Sequence, residues 1–421
     1  MKILIIDIHS PSPHAGDSDR HHSLAKQWGI MGHKVTILTA SFSPIRKENS
    51  AINKDFQKIT VDENVEQVYF KIPKYDVRFK NSFKHAQWVF LSKFRLHYLF
   101  FKRLNRYDVV IINSAYPNLI LPIYKPALKK KIRLYFDITE PWPLAAVERY
   151  GCKTSIPNLK KMAGNEAWCY AYAQKVIASG EFVKSHLVFR GITGSEFFEY
   201  IPDGIDVSLH PFDGKLSEET FEVFKDIRDR KKLILTTFDD EINTPTIETL
   251  LEAAPSIDDG LCLMIAALPE NKEKYAKIIS DKSLYDKVKV VDKGTDAELD
   301  ALLEYSDFLY YGAEKHPLYR YGVVFTQLLR CMLVGQPIVY AFEGSNDPVT
   351  EVGCGITVET KNPQALSQGI NDLLGKSLLE YRQFCENAKG AALSEYDYRV
   401  LAKRYSDLFE LEYVKLPKAQ D

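Results

Sequence analysis

The stretch YRYGVVFTQLLRCMLVGQPIVYAFEGSNDPVTEVGCGITVE, Tyr319 to Glu359, decides the fold. Leu328, Leu329, Met332 and Leu333 recur at helical spacing, and Gly335 ends the helix. Gln336-Pro337 then leads into the apolar run Ile338-Val339-Tyr340-Ala341-Phe342, the pattern of a strand buried on both faces. A polar loop, a short Gly-capped helix and a last strand follow. A helix feeding a fully buried strand is the αβ half of a parallel-sheet unit.

Outward from that stretch, short apolar strands alternate with helical segments along the whole chain. In the first half the pattern predicts strands at Lys2–Ile8, Lys34–Ala40, Gln67–Ile72, Asp108–Asn113, Ile132–Ile138 and Lys175–Ser179. Helices are predicted between them at Asp19–Met31, Ser82–Leu104, Pro117–Leu128, Asn158–Ala173 and Phe182–Phe189. Six more strands, from Lys232–Thr237 to Gly355–Val358, alternate with helices that include Val323–Val334 and Pro363–Leu374. Such alternation gives doubly wound parallel sheets with right-handed crossovers. The break between halves falls near 203–230, where the turn-rich Ile201-Pro202-Asp203-Gly204-Ile205-Asp206 is followed by a charged segment, Asp213 to Lys232, with no periodic strand.

Length and composition bound the reading. A chain of 421 residues predicts two domains of roughly 200 residues each. Apolar content of 45% and charged content of 26% are those of a soluble globular protein. The net charge, 55 − 56 = −1, argues against a dedicated nucleic-acid partner. Six cysteines form no C-x-x-C pair, and no Cys/His group has zinc spacing, so reduced buried thiols in the cytoplasm are expected. No apolar run reaches the ~18 residues of a membrane span. The opening MKILIIDIHS carries Asp7 inside its apolar run and reads as a first strand in place of a signal peptide.

Three loops carry chemistry. After the first strand comes a long polar loop, His9 to His22, that ends at a helix N-terminus, where free N–H groups favour anionic or hydroxyl partners. It contains Gly16, Arg20, His21 and His22, but no dinucleotide fingerprint. The alternative is a solvated loop with Asp19 as helix cap. Phe136-Asp137-Ile138-Thr139-Glu140-Pro141-Trp142-Pro143 follows another strand, so Asp137 and Glu140 stand at the ligand edge of that sheet as candidate bases, with Glu140 as a plain helix-start residue the alternative. In the second half, Lys293-Gly294-Thr295 follows a strand, and Gly322-Val323 leads into the helix that carries Gln327 and Arg330.

Taken together, these motifs resemble GT-B retaining glycosyltransferases of the bacterial polysaccharide and lipopolysaccharide type, family 4-like. The likeness lies in the Gly16, Arg20-His21 and Gly32-His33-x-Val35 series, the F-D-x-x-E-x-W-P segment, the Ile201–Asp206 exit, and the N-D-P-x-x-E-x-G-x-G order after Asn346. The resemblance implies an α/β, GT-B chain with two Rossmann-like doubly wound parallel-sheet domains facing a cleft. Their bounds would be 1–205 for the acceptor domain, 206–395 for the nucleotide-sugar domain, and 396–421 for a C-terminal helix crossing back to the first domain. It implies transfer of a sugar, with anomeric retention, from a nucleotide-diphosphate sugar to a glycan or lipid-linked acceptor, without a metal or other cofactor. Catalytic roles would fall to Asp137 and Glu140, and acceptor binding to Gly16, Arg20, His21 and His22. Donor binding would fall to Lys293, Gly294, Thr295, Gly322, Val323, Gln327 and Arg330.

The donor half departs from that pattern. Relatives carry a Gly-Arg…Lys pair after the first strand of this domain, whereas Thr236 to Pro245 holds three carboxylates and no Lys or Arg. A diphosphate there would meet repulsion. Arg330 stands where relatives have a ribose-binding Glu, five residues before Gly335, and Gln327 where many have Lys. Lys293, Arg320 and Arg330 could restore the charge, although Arg330 reads equally as an ion-paired helix residue. A non-catalytic GT-B subunit that binds a glycan or a partner enzyme is therefore the alternative function. Finally, 71–107 holds ten Lys/Arg among interleaved aromatics against one acid, Asp76. That composition suits either an anionic membrane surface, at the inner face of the cytoplasmic membrane, or a domain helix with solvated charges.

Overall fold

The computed structural model describes residues 1–11, 19–44, 46, 49–74, 106–115, 117–192 and 197–411. Gly16, the expected helix Ser82–Leu104 and nearly all of the basic aromatic stretch lie outside these residues. The chain divides into two compact units. Unit 1 takes Met1–Asp203, Tyr321–Val323 and the chain from Tyr398, and unit 2 takes Gly204–Arg320 and Val324–Asp397.

Unit 1 is built on eight strands: β1 (Lys2–Ile6), β2 (Lys34–Ala40), β3 (Phe56–Asp62), β4 (Val65–Phe70), β5 (Val109–Asn113), β6 (Arg133–Ile138), β7 (Lys175–Ala178) and β8 (Phe198–Tyr200). They lie in the order β3-β4-β2-β1-β5-β6-β7-β8. Every pairing is parallel except β3 with β4. β1 and β5 are apolar and buried along most of their length because helices cover both faces of a parallel sheet. The helix Tyr398–Asp407 packs on the helix Arg20–Ile30: Trp28 donates from Nε1 to the Ala402 carbonyl at 2.9 Å, and its ring meets Tyr405 and Phe409 edge-on.

Unit 2 is built on six parallel strands: β9 (Leu233–Phe238), β10 (Leu261–Ala267), β11 (Val288–Asp292), β12 (Phe308–Gly312), β13 (Ile338–Ala341) and β14 (Gly355–Val358). Their order is β11-β10-β9-β12-β13-β14. The Tyr319–Glu359 stretch supplies β13 and β14. Gly335 ends the helix Thr326–Val334 in the left-handed region, at φ +87°. Gly355 lets β14 approach β13 so closely that a Cβ there would lie 1.9 Å from the Ile338 carbonyl oxygen.

Several boundaries differ from those expected. The segment Pro117–Leu128 is a 3₁₀ turn, Pro117–Ile120, and a separate helix, Tyr124–Lys130. Pro122 lacks an N–H and disfavours helical backbone at Leu121. The helix expected from Val323 begins at Thr326. The charged segment after the exit from unit 1 contains a helix, Glu218–Asp229, capped by Ser217, whose buried face is only Thr220, Phe224 and Ile227.

Candidate functional site

In open parallel sheets, ligands collect outside the carboxyl ends of the strands where the strand order reverses. Those points are β1/β5 in unit 1 and β9/β12 in unit 2.

At the unit 1 point, β1 runs into Asp7. One Asp7 oxygen accepts from the His9 amide at 2.9 Å, and the other lies 2.7 Å from His21 Nδ1. The opposite nitrogen of His21 stands 3.4 Å from Asp137 at the end of β6. Asp137 also accepts from Arg20 Nε at 3.2 Å, and Arg20 continues to the Pro202 carbonyl (2.7 Å) and Asp203 (3.3 Å). Arg20, His21 and Asp137 are buried, Asp137 with 0% of its surface exposed. Asp19 caps the helix that presents Arg20 and His21, accepting from the His22 amide, and His22 Nε2 reaches Gln67 at 3.1 Å.

Burial alone would push the His21 imidazole toward neutrality. The carboxylates of Asp137 and Asp7 outweigh that and raise its pKa to about 10, so it is an imidazolium at neutral pH. Burial likewise works against the Asp137 carboxylate, but Arg20 and His21 hold it below the usual range. Asp203 is raised, chiefly by burial. His9 is different: burial lowers its pKa to about 4, leaving a neutral ring 2.8 Å from the Ser43 hydroxyl and facing Trp142 with centroids 6.3 Å apart.

The two carboxylates given catalytic roles therefore part company. Asp137 exposes no surface to a substrate, and its place between two cations is that of a positioning group. Glu140 is partly exposed and ion-paired with Arg149, and its carbonyl accepts from the Ser114 hydroxyl at 2.7 Å. Arg20 and His21, expected at the acceptor, are inside the same buried network. Gly322 and Val323 pack with unit 1, whereas Lys293, Gly294, Thr295, Gln327 and Arg330 belong to unit 2.

At the unit 2 point, Asn243 ties the two diverging strands together. Its amide donates to Thr237 (2.8 Å) and the Phe238 carbonyl (2.7 Å) of β9, and its oxygen accepts from Gly312 N of β12 (2.8 Å). Asp239 is fully buried and saturated. It accepts from Leu268 N, Asn271, Tyr275 and Thr244. Asp240 accepts from the amides of Ile242 and Asn243 and from the Tyr311 hydroxyl at 3.1 Å. Lys293, past the end of β11, donates to the Asp239 carbonyl at 2.6 Å, with Nζ 5.7 Å from the Phe238 ring centroid. Thr295 follows Gly294 as the cap of the helix Asp296–Glu304, in a capping box with Glu298.

Arg330 does not offer the free cation expected of it. Its side chain is 2% exposed and bonds Asp300 (2.6 Å), Asp296 (2.8 Å) and the Asp296 carbonyl. His210 holds Asp300 from the other side at 3.0 Å. Gln327, one turn earlier, has a buried amide oxygen with no donor among the described residues. Asn243, Tyr311 and His9 were not foreseen as site residues. Only the position of Asn243 between a strand and a Thr-Pro helix start hinted at a role. Among the described residues no group of His, Cys, Asp and Glu is arranged to hold a metal ion.

No protein-family model and no curated protein matches the chain. Solved structures do. A sucrose-phosphate synthase from Thermosynechococcus elongatus superposes with a TM-score of 0.62 at 16% identity, covering 97% of this chain and 98% of that one. HepE from Anabaena, in complex with UDP and glucose, gives 0.58 at 15% identity over 97% and 98%. WaaG, a glycosyltransferase involved in lipopolysaccharide biosynthesis, gives 0.59 at 14% identity over 97% and 100%. The chain thus has the GT-B fold, with these matches covering 97% of it.

Proposed function

We propose that this chain is a glycosyltransferase that moves a sugar from a nucleotide-diphosphate sugar to a hydroxyl of a glycan or lipid-linked acceptor, with retention at the anomeric carbon, in surface polysaccharide synthesis. The observation that carries the donor half is Lys293. The β9 loop has no cation of its own, yet Lys293 reaches across from the end of β11 to the Asp239 carbonyl and brings a charge to the switch point. Among the described residues it has this one acceptor, so two of its three N–H groups remain for a phosphate oxygen. The bond between the sugar and the diphosphate breaks, the acceptor oxygen takes its place and gives its proton to the leaving diphosphate, and Lys293 stabilises the charge growing there. Unit 1 supplies the acceptor side, with Glu140 as the accessible carboxylate and Asp137 holding Arg20 and His21 in place. HepE, with UDP and glucose bound, supports the donor class, and WaaG the setting in polysaccharide assembly. We place the protein in the cytoplasm, with 71–107 as its contact to the inner membrane face; no helix among the described residues is long and apolar enough to cross a membrane.

One observation favours the non-catalytic subunit instead. Of the two cations near Asp239, Asp240, Asp296 and Asp300, Arg330 is already committed to Asp296 and Asp300, which leaves Lys293. Calorimetric titration with UDP-, GDP- and dTDP-sugars separates the two. A glycosyltransferase binds one of them, and Lys293→Ala weakens that binding by on the order of tenfold or more, the loss of one charge-assisted hydrogen bond. No heat with any sugar nucleotide would leave the subunit reading.

A further inference from the structure

Asp240 stands beside Lys293 where a donor diphosphate would lie, and its charge is not consumed as that of Asp239 is. Asp239 has four donors and no exposed surface. Asp240 is partly exposed at the mouth of the switch point, and its donors are two backbone amides and a tyrosine hydroxyl, none of them a cation. The groups around it are Asp239 and Glu241 on its own loop, Lys293 from the end of β11, Tyr311 of β12, and Cys331 on the helix that also carries Arg330. Of the two cations, Arg330 belongs to Asp296 and Asp300, which leaves Lys293 to serve both Asp240 and any phosphate.

Building on the glycosyltransferase reading, we propose that Asp240 is a further binding residue of the donor site: a nucleotide-diphosphate sugar binds with Asp240 protonated, so each binding event takes up one proton. The Asp240 carboxylate takes that proton from solvent and becomes a neutral acid. Its O–H then donates where a carboxylate would repel, and the charge of Lys293 is no longer offset by Asp240. A like charge about 6–10 Å from a phosphate oxygen, at an effective dielectric of about 20, costs on the order of ten- to a hundredfold in affinity. The site is prepared for the change. Burial raises the Asp240 carboxyl above the usual range, against the pull of the amides, Tyr311 and Lys293. The same burial, with Arg330 nearby, lowers Lys293. A bound anion pushes Asp240 further in the same direction.

The test is calorimetry on the full chain with whichever UDP-, GDP- or dTDP-sugar binds, between about pH 5 and pH 8, in buffers of different ionisation heat. The diphosphate of a sugar nucleotide has no group that titrates in this range, so any proton taken up belongs to the protein. Wild type should bind more weakly as pH rises and take up a proton. Asp240→Asn keeps the shape and the acceptor for the two amides. It should bind on the order of tenfold more tightly at the upper end, with a flat pH profile and no uptake from this group. A wild type that binds with neither pH dependence nor uptake overturns the inference and leaves the glycosyltransferase reading standing. So does an Asp240→Asn chain with unchanged affinity and uptake. If neither chain binds any sugar nucleotide, that reading falls and this inference with it.

Discussion

His21→Gln should change the stability of unit 1 in a way that depends on pH. The folded imidazole has a pKa of about 10, against 6.5 for the free side chain. A group whose pKa is raised by folding contributes its full stabilisation below the unfolded value and loses it as pH rises through the folded value. The full contribution is about 5 kcal/mol, from a shift of about 3.5 units at 1.36 kcal/mol each. Roughly 4 kcal/mol of that remains at pH 7 and about 1 kcal/mol at pH 9. Urea unfolding read by tryptophan fluorescence isolates the unit, because Trp28, Trp88, Trp142 and Trp168 all precede residue 203. With an m-value of about 2–3 kcal/mol/M, the wild-type midpoint should fall by roughly 1 M between pH 7 and pH 9 from this group alone. Other lysines and tyrosines titrate in both chains, so the quantity to follow is the difference between wild type and His21→Gln. That difference should be large at pH 7 and nearly gone by pH 10. A constant difference across the range would mean that His21 is neutral between Asp7 and Asp137, and the charge reading of the network would be wrong.

Two further outcomes follow from the geometry. Arg330→Ala leaves Asp300 buried with His210 as its remaining partner, which costs about 3–5 kcal/mol and lowers the melting of unit 2, followed by far-UV circular dichroism, by on the order of 10 °C; an undiminished melting temperature with weakened sugar-nucleotide binding would return Arg330 to the phosphate. Co-sedimentation with vesicles should increase with their anionic lipid and decline with salt if 71–107 meets a membrane surface, and equal pelleting on neutral vesicles would refute that.

What the chain discloses about its fold follows from where its strands lie. Central strands of a parallel sheet bury both faces and read as unbroken apolar runs. β10, Leu261–Ala267, and β13 inside the Tyr319–Glu359 stretch were therefore legible. β3 and β8 lie at the edges of the unit 1 sheet and present few buried residues, so Phe56–Asp62 and Phe198–Tyr200 carried no such signal. The helix Glu218–Asp229 hid for a related reason: three buried positions among charges do not make a periodic stripe that stands out.

The site was harder to read because residue type states a charge but not its partner. Asp239 and Asp240 look alike in the sequence, as two carboxylates that would repel a diphosphate. Folding brings Asp239 its donors from positions 244, 268, 271 and 275, so its charge is absorbed within unit 2. Arg330 looked like compensation and is instead absorbed by Asp296 and Asp300, some thirty residues earlier. Asp137, Arg20 and His21 repeat the pattern in unit 1, where apparent substrate groups neutralise one another out of solvent. Once these internal pairs are removed, the acid and base left acting on each other are Asp240 and Lys293, with Glu241 exposed on the same loop. Whether a diphosphate can enter then depends on which of them keeps its charge when it arrives. A neutral Asp240 beside a protonated Lys293 leaves a net positive pocket, and an ionised Asp240 leaves none.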